Sequence, residues 1–419
     1  MPRAVAASIE SSENMRLHNG HIIGSAAFLV CGVGVFVPLG LAPLIGIAAI
    51  AAAVLHRRNF GQWPHPPLAL SAIFAALAVL GALSAVWSID RGDTLVGLSR
   101  LVPLLLAGGL LVGAARRLTA EETRTLIWLF AAGAAVALCL LAVERFAGAP
   151  IRHLTQPDLS DGLIGVSFNR GASVIALWLW PLALVAWRWK PAVAAVLWLA
   201  VFALLATLEN ASAVLALSVG AAVCLSAYLA PRATPLALAS LCGALILAAP
   251  LVPHVMPAPL SIKEAVPDLP RSAYHRLLIW GFTVDRIAEL PVLGWGLRTS
   301  RDIPGREIQL DTSEPALPLH PHNGVLQLWL ELGAPGALLG AALLVMILVA
   351  IARSRAPPEA RAAATAMVMS ALVMVCLSYG IWQSWWLAAL WMTAAFMAVL
   401  MRKQPGGALP PRDGAAATP

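Results

Sequence analysis

Two histidines stand at the entrance to a long apolar stretch. His320 and His322 are followed by Asn323 and Gly324, and an apolar run then continues to about residue 352. An imidazole titrates near neutral pH, so it can take up or release a proton under physiological conditions. Titratable groups at the border of an apolar span are typical of functional sites in membrane proteins. This stretch therefore predicts chemistry at the lipid boundary.

The composition indicates where these histidines act. Of the 419 residues, 60% are hydrophobic and only 12% are charged, and the mean hydropathy is +0.81. Soluble domains carry about a quarter charged residues. The net charge of +7 does not indicate nucleic-acid binding, because the basic residues lie in connections between apolar runs and form no continuous patch. The chain is predicted to be an integral membrane protein that contacts the lipid bilayer and no nucleic acid.

Twelve apolar runs determine the predicted fold class. Each is about as long as the hydrocarbon core requires of a helix, and far longer than the roughly ten residues of a barrel strand. The prediction is an all-α, polytopic protein with about twelve transmembrane helices and a large periplasmic loop, although the first two runs are short and leave the N-terminal count open. The runs lie near 22–37, 41–55, 68–86, 98–115, 125–143, 172–187, 191–208, 213–230, 236–252, 325–352, 362–381 and 387–401.

Basic residues alternate between the connections, which predicts the orientation. By the positive-inside rule, the connections rich in Arg and Lys face the cytoplasm. Both termini are then cytoplasmic, and two long segments face outward, one near 144–171 and one near 253–324. The predicted organisation is a cytoplasmic N-terminus 1–21, transmembrane helices 1–9 over 22–252, a large periplasmic loop 253–324, transmembrane helices 10–12 over 325–401 and a disordered cytoplasmic tail 402–419.

Several function classes are disfavoured by what the runs contain. Almost no ionisable residue lies within them, Glu331 being the main exception, whereas ion-coupled transporters usually need such groups at the midplane. There is no phosphate-binding glycine loop and no HExxH zinc signature. The five cysteines lie inside apolar runs without metal-binding spacing, and they are interpreted as buried packing residues: Cys31, Cys139, Cys224, Cys242 and Cys376.

The larger outward segment contains a predicted amphipathic helix. Apolar residues recur at helical spacing from Arg271 to Pro291, which ends the pattern. Arg276 and Trp280 are four residues apart and share a face. The turn that follows contains Gly294 and Gly296, where the backbone could approach a ligand closely. The predicted apolar face comprises Leu277, Trp280, Gly281, Val284, Ile287 and Ala288.

Four separate motifs fall in the segments predicted to face outward. They are His322-Asn323 with Gly333 and Gly336; Arg276 and Trp280 with Pro291, Gly294 and Gly296; Trp87-Ser88-Ile89-Asp90; and Asn169-Arg170. Together they resemble the O-antigen ligase and polymerase superfamily, over roughly residues 80–350. Two departures are clear, because Ala337 stands where the family often has Thr, and Glu209-Asn210 stands where many members carry a Ser-Arg pair.

The resemblance implies a glycosyltransferase that uses a polyprenyl-pyrophosphate donor. Such an enzyme must place an acceptor hydroxyl, remove its proton and hold the departing negative charge. His322 is the implied general base, and Arg170 and Arg276 are implied to grip the pyrophosphate. No cofactor and no metal are expected, although Asp311 and Glu314 leave a magnesium site open. The supporting residues implied are His320, Asn323, Trp280, Gly294, Gly296 and Asn169.

Simpler roles compete with these assignments. The histidines could cap the tenth helix or bind loop carbonyls, and Arg276 could anchor lipid phosphate. Arg170 could mark a helix end. Trp280, Trp295, Trp385 and Trp386 are most simply interfacial aromatics.

The predicted function is that of an O-antigen ligase-like enzyme of the bacterial inner membrane. It would move a glycan from undecaprenyl pyrophosphate to an acceptor hydroxyl, with lipid A-core as the favoured acceptor. The protein would be multi-pass, with its active site facing the periplasm. A single in-line displacement implies inversion at C1. The alternatives are an O-antigen or exopolysaccharide polymerase, a protein O-oligosaccharyltransferase and, less favoured, a non-catalytic flippase of lipid-linked glycans.

Overall fold

The protein is all-α and polytopic. The computed structural model describes residues 18–155, 167–311 and 313–402. The predicted segments 1–21 and 402–419 therefore lie almost entirely outside the described residues. The helices are α1 (Asn19–Phe36), α2 (Leu41–Phe60), α3 (Leu68–Ser84), α4 (Arg91–Ala115), α5 (Ala120–Phe146), α6 (Pro150–Thr155), α7 (Asn169–Trp189), α8 (Pro191–Ala206), α9 (Ala211–Leu229), α10 (Ala233–Ala248), α11 (Val252–Val255), α12 (Pro259–Ala265), α13 (Arg271–Glu289), α14 (Gly324–Arg353), α15 (Pro358–Leu377) and α16 (Ser384–Leu400).

Each of the twelve predicted runs coincides with one of these helices. Within the described residues, nine helices are long and apolar enough to cross a membrane, and α3, α8 and α16 are shorter apolar helices. Polytopic membrane architecture is thus confirmed, and the count of twelve crossings remains a prediction. One boundary differs in a way that matters, because the run predicted over 362–381 ends as a helix at Leu377.

The helices pack around one large apolar core. The closest pairs are α1 with α5, α9 with α15, and α10 with α14. Trp178, Trp386 and Phe396 are among the largest fully buried side chains. The prediction that Trp385 and Trp386 are interfacial is wrong, since both rings are buried. Their edges pack against each other and against Tyr379, which removes them from the membrane surface.

The cysteines are free thiols, and one departs from its prediction. Cys31 and Cys242 are buried, and Cys224 and Cys376 are partly buried, as packing residues should be. Cys139 is exposed on the outer surface of α5. An apolar run does not by itself show which face of its helix packs inward, because a membrane span is apolar on its lipid-facing side as well.

The connections separate into two groups, at opposite ends of the helices. Those predicted to face outward contact one another: Ile89 donates to the Trp295 carbonyl and Asn210 to the Asn169 carbonyl. At the end predicted to be cytoplasmic, Arg188 donates to the Leu400 carbonyl and Arg402 to the Leu118 carbonyl. The chain therefore gathers its candidate motifs at one end.

Helix α13 forms where the amphipathic pattern predicted it. It spans Arg271–Glu289. Its buried face differs from the predicted one, because Ile279 and Thr283 are buried while Ala288 is exposed. The helix packs on α14, and Thr283 can be buried because its hydroxyl donates to the Ile279 carbonyl.

Candidate functional site

A break in α14 forms the base of the site. Gly333 has φ 60° and ψ −157°, outside the helical region, and Pro335 follows two residues later. Pro335 has no N–H to donate to Glu331, and the Ala334 N–H donates to the Pro291 carbonyl instead, at 3.0 Å. The carbonyls of Leu330 and Glu331 are thereby freed for other donors.

The turn after α13 supplies those donors. The N–H of Trp295 donates to the Leu330 carbonyl at 2.9 Å, and the N–H of Gly296 donates to the Glu331 carbonyl at 2.8 Å. The two glycine-containing motifs, far apart in sequence, therefore form one hydrogen-bonded unit. It holds the segment that leads from α13 against the first third of α14.

Gly294 packs against the backbone of α14, and Gly296 packs against Ser88. A Cβ on Gly294 would lie 2.6 Å from the carbonyl carbon of Glu331, and a Cβ on Gly296 would lie 2.7 Å from the Ser88 Cβ. Both have positive φ, which other residues rarely adopt. The sequence predicted a close approach to a ligand here. The structure shows instead a close approach to α14 and to the Trp87-Ser88 motif.

Trp280 connects α13 to the turn that carries the histidines. Its indole N–H donates to the Pro321 carbonyl at 3.1 Å. Arg276 lies one helical turn earlier on the same face, as predicted. Trp280 thus positions the histidine turn relative to Arg276, and its ring is partly buried in a small apolar cluster with Trp295 and Trp329.

Asn323 caps α14. Its side-chain oxygen accepts hydrogen bonds from the N–H groups of Val325 and Leu326 at 3.0 and 3.1 Å. The capping role considered for the histidines therefore belongs to Asn323, the residue type that is preferred there. His320 and His322 are left outside the helix, and His322 is held in the left-handed region with φ 53°.

His322 is oriented by a backbone carbonyl. Its Nδ1 lies 2.8 Å from the carbonyl oxygen of Ser378. Because a carbonyl only accepts, Nδ1 carries the hydrogen, and Nε2 of the neutral ring has the free lone pair. The ring is half-buried. Burial lowers the pKa of His322, and the bond to Ser378 partly opposes this shift. A neutral imidazole with a free Nε2 is the form that a general base requires.

His320 differs from its neighbour in each of these respects. It is only 9% exposed, and its Nδ1 accepts the N–H of His322 at 3.1 Å. Burial, with smaller contributions from His322 and Arg301, lowers the pKa of His320 to about 3. A ring with so low a pKa is a poor proton acceptor at neutral pH. It contacts both His322 and the side chain of Gln383.

Tyr379, which sequence reasoning missed, lies at the centre of the group. Its hydroxyl donates to the Asn169 carbonyl at 2.9 Å and lies 2.9 Å from the Ser173 hydroxyl. The amide of Asn210 also donates to the Asn169 carbonyl, at 2.6 Å. These contacts of Asn169 are therefore made by its backbone carbonyl, at the start of α7. The sequence placed Tyr379 inside a membrane span, and the only local signal against this was Gly380 beside it.

Arg170 and Arg276 converge on Tyr379. The Arg170 guanidinium lies 6.0 Å from the Trp385 ring centre, and that ring packs 4.7 Å from Tyr379. Burial raises the pKa of the Tyr379 phenol, and the charges of both arginines partly oppose this rise. The charge of Arg276 also lowers the pKa of His322, in addition to the larger effect of burial. The three residues singled out for catalysis, of which Arg170 is more than a hundred positions from the other two in sequence, therefore surround one region.

Neither of these two arginines has a carboxylate partner among the described residues. The ion pairs between described side chains involve other groups. Burial lowers the pKa of Arg276, so its charged form is less solvated than in water. Such a guanidinium is suited to an anionic ligand that can accept several hydrogen bonds at once.

The carboxylates considered for magnesium are engaged elsewhere. Asp311 lies 3.5 Å from Lys263 Nζ and accepts the Tyr274 hydroxyl at 2.9 Å. Glu314 lies 3.4 Å from both Arg271 and the His275 ring. These contacts tie α12 and α13 to the loop that leads to His320. The other long segment predicted to face outward, near 144–171, is described only up to residue 155 and from residue 167.

The architecture defines the class as a multi-pass helical membrane protein with its candidate site at one end. In a comparison with known proteins, residues 195–341 match the family described as O-antigen ligase. This segment includes Arg276, Trp280, both glycines of the turn, His320, His322 and the break in α14. The match confirms the resemblance to the O-antigen ligase superfamily.

Three rickettsial proteins, each described as a candidate polysaccharide ligase, are similar to parts of the chain. The Rickettsia conorii protein is 37% identical over 28% of this chain and 29% of its own length. The Rickettsia prowazekii protein is 36% identical over 32% of this chain and 34% of its own length. The Rickettsia bellii protein is 28% identical over 61% of this chain and 63% of its own length. The chain thus spans about a third of the length of the first two.

Proposed function

We propose that the protein is a glycosyltransferase of the O-antigen ligase type. It transfers a glycan from undecaprenyl pyrophosphate to an acceptor hydroxyl, with lipid A-core as the acceptor, on the periplasmic face of the inner membrane. One observation carries the proposal: a neutral imidazole with a free Nε2 lies near the Arg276 guanidinium, in a turn that contacts the Tyr379 connection near Arg170, and neither arginine has a carboxylate partner among the described residues. The family match and the rickettsial relatives support it.

Each residue has a definite part in the proposed reaction. His322 Nε2 takes the proton of the acceptor hydroxyl as its oxygen attacks C1 of the donor sugar. The bond between C1 and the pyrophosphate oxygen breaks, and its electron pair stays on that oxygen. Arg276 and Arg170 stabilise the developing negative charge. Attack opposite the leaving group in one step inverts the configuration at C1.

An apolar cavity next to the site supports a lipid-linked donor. It has a volume of about 290 Å³ and is lined by aliphatic and aromatic side chains from α3, α4, α14, α15 and α16. Ile381 and Trp382, from the connection that carries Tyr379, line it as well. The first isoprenoid units of a donor in this cavity would bring the attached pyrophosphate toward the connection that carries Tyr379.

The test is transfer by the purified protein in proteoliposomes. Undecaprenyl-pyrophosphate glycan and lipid A-core are supplied, and the variant His322→Ala is compared with His65→Ala, which removes an exposed imidazole outside the site. Loss of a general base lowers the rate by about 10²- to 10⁴-fold. We expect that loss for His322→Ala and wild-type transfer for His65→Ala. Unchanged transfer by His322→Ala would refute the proposal.

Glycolipid profiles of cells that lack the protein identify the acceptor. Unmodified lipid A-core together with long carrier-linked chains is the result expected of a ligase. Accumulation of single carrier-linked repeats would instead identify a polymerase and overturn the choice of acceptor. A flippase is recognised by carrier-linked glycan that stays on the cytoplasmic side and by indifference to His322→Ala.

A further inference from the structure

Glu331 is a fully buried carboxylate below the candidate site, and the proposed reaction does not use it. Its side chain is 0% exposed. It accepts hydrogen bonds from the Trp382 indole N–H at 2.5 Å, the Arg298 backbone N–H at 2.5 Å and the Gln327 amide at 2.9 Å. The Ser300 hydroxyl also donates to it. A buried carboxyl with this many partners has a defined role in the structure around it.

All the groups just named donate hydrogen bonds to the Glu331 carboxylate. Arg298 contacts Glu331 through its backbone N–H, and its guanidinium lies 3.0 Å from Asp93. A carboxylate accepts on both of its oxygens, whereas a glutamine in its place would turn N–H groups toward other N–H groups on one side. The arrangement is therefore specific to glutamate and is not met by an isosteric amide.

Two of these contacts hold the connection between α15 and α16, residues 378–383. Trp382 donates to Glu331 directly. Gln327 donates to Glu331, and its oxygen accepts the Ile381 N–H at 2.9 Å. Gly380, the residue before Ile381, packs against the ring of His320. The connection is thus anchored to α14 at two successive residues.

The same connection orients the candidate base. It supplies the Ser378 carbonyl that accepts from His322 Nδ1, and it carries Tyr379. The path from Glu331 to His322 therefore consists of Trp382 and Gln327, then the backbone of the connection, and then one carbonyl. A displacement of the connection would release Nδ1 and allow the ring to turn or to change tautomer.

We infer that Glu331 is a positioning residue: by holding residues 378–383 against α14 it fixes the orientation and the Nδ1–H tautomer of His322. This inference rests on the proposed function, in which His322 is the base. Glu331 does not touch substrate in this role, so its loss should lower kcat and leave the KM for the donor unchanged. A displacement of about 1 Å at a reacting group costs about 10²-fold in rate.

The dependence on pH separates positioning from general support of the fold. The charged and titratable groups that act on His322 are Arg276 and His275 from α13, with His320 in its own turn. The Ser378 carbonyl raises the pKa of His322 against these groups and against burial. If the carbonyl moves away, the pKa of His322 falls, and the acid limb of kcat/KM shifts to lower pH.

The experiment compares Glu331→Gln with Glu359→Gln in the proteoliposome assay. Glu359 lies in the first turn of α15, at the other end of that helix from residues 378–383. We expect about 10²-fold lower kcat, unchanged KM and an acid limb at lower pH for Glu331→Gln, and wild-type behaviour for Glu359→Gln. Wild-type kcat, or a raised KM alone, would overturn the inference.

A second pair of variants keeps the test valid if Glu331→Gln fails to fold. Trp382→Phe removes one donor and keeps the ring, and its control is Trp198→Phe, whose indole N–H has no hydrogen-bond partner among the described residues. We expect about tenfold lower kcat with the same shift of the acid limb for Trp382→Phe alone. Wild-type kinetics for Trp382→Phe would overturn the inference. If His322→Ala is inactive in that case, the proposed function stands; if His322→Ala is active, the proposed function itself has failed.

Discussion

Two groups of arginines lie at the same end of the molecule and differ in their electrostatic partners. Arg298 and Arg301 both contact Asp93, at 3.0 and 3.2 Å. Arg170 and Arg276 have no carboxylate partner among the described residues, and they lie around Tyr379. The first group joins the turn after α13 to the start of α4. The second leaves its positive charge available to a ligand.

The comparison shows that the residue type alone does not identify a binding cation. A guanidinium whose charge is matched by a buried carboxylate stabilises the fold, and removing one partner leaves the other uncompensated. A guanidinium without such a partner in a half-buried site has the geometry and the charge to hold an anion. The two groups should therefore respond in opposite ways to substitution.

Two separate variants, Arg276→Ala and Arg298→Ala, are the strongest test of the comparison. We expect Arg276→Ala to lower kcat/KM by about 10²- to 10³-fold with little change in thermal stability, because it removes stabilisation of the leaving group. Arg298→Ala should cost about 1–2 kcal/mol of stability and retain transfer. Transfer rates in proteoliposomes and thermal unfolding in detergent measure the two effects. Equal losses of transfer for both variants would end the distinction.

Arg170 should show a smaller effect. Arg170 is exposed, and its guanidinium lies 6.0 Å from the Trp385 ring centre. A guanidinium can bind two phosphate oxygens at once, whereas an ammonium acts as a point charge. We expect Arg170→Lys to raise the KM for the donor by about tenfold and to leave kcat nearly unchanged. An effect on kcat alone would assign Arg170 to the transition state and not to binding of the ground state.

The pH profile tests whether His322 lies in the half-buried environment near Arg276. Burial lowers the pKa of His322 below the ordinary 6.5. A base with a lowered pKa stays neutral, and therefore active, to lower pH than an exposed histidine. The acid limb of kcat/KM, which reports the free enzyme, should have its midpoint below 6.5. A midpoint above 6.5 would contradict this environment for His322.

Asn323 adjoins the active group and is expected to behave as a structural residue. It caps α14 through two backbone N–H groups. We expect Asn323→Ala to lower stability by about 1 kcal/mol, whereas Asn323→Asp, which keeps the accepting oxygen, should retain it. Thermal unfolding is the measurement. A loss of transfer in Asn323→Asp without loss of stability would give Asn323 a catalytic part.

Much of the fold follows from local pattern. The twelve apolar runs, the amphipathic α13 and the pairing of Arg276 with Trp280 on one face depend on helical periodicity, which a sequence displays directly. The end of α15 could not be predicted from periodicity. Residues 378–381 were assigned to the same apolar run as the helix before them. The turn that presents Ser378 and Tyr379 is held by hydrogen bonds to Glu331 and Gln327 of α14.

The glycines of the turn are a second case in which the sequence pattern did not predict a tertiary contact. The sequence predicted a turn at Gly294 and Gly296 where the backbone could approach a ligand, and in the structure both residues have positive φ values. What they approach was not readable from the pattern, because the break at Gly333 lies some forty residues later in the chain. The buried face of α13 was likewise shifted, since contact with α14 decides it.

Long apolar segments can satisfy their backbone in lipid only as helices, so the residues alone predicted a helical membrane protein with histidine and arginine motifs in connections expected to face outward. The contacts of the folded protein decided which imidazole nitrogen is free, which guanidiniums lack a carboxylate partner among the described residues, and that Tyr379 lies among them. Those properties depend on partners contributed by distant segments, and hydrogen bonds and ion pairs of that kind leave no periodic trace in the chain.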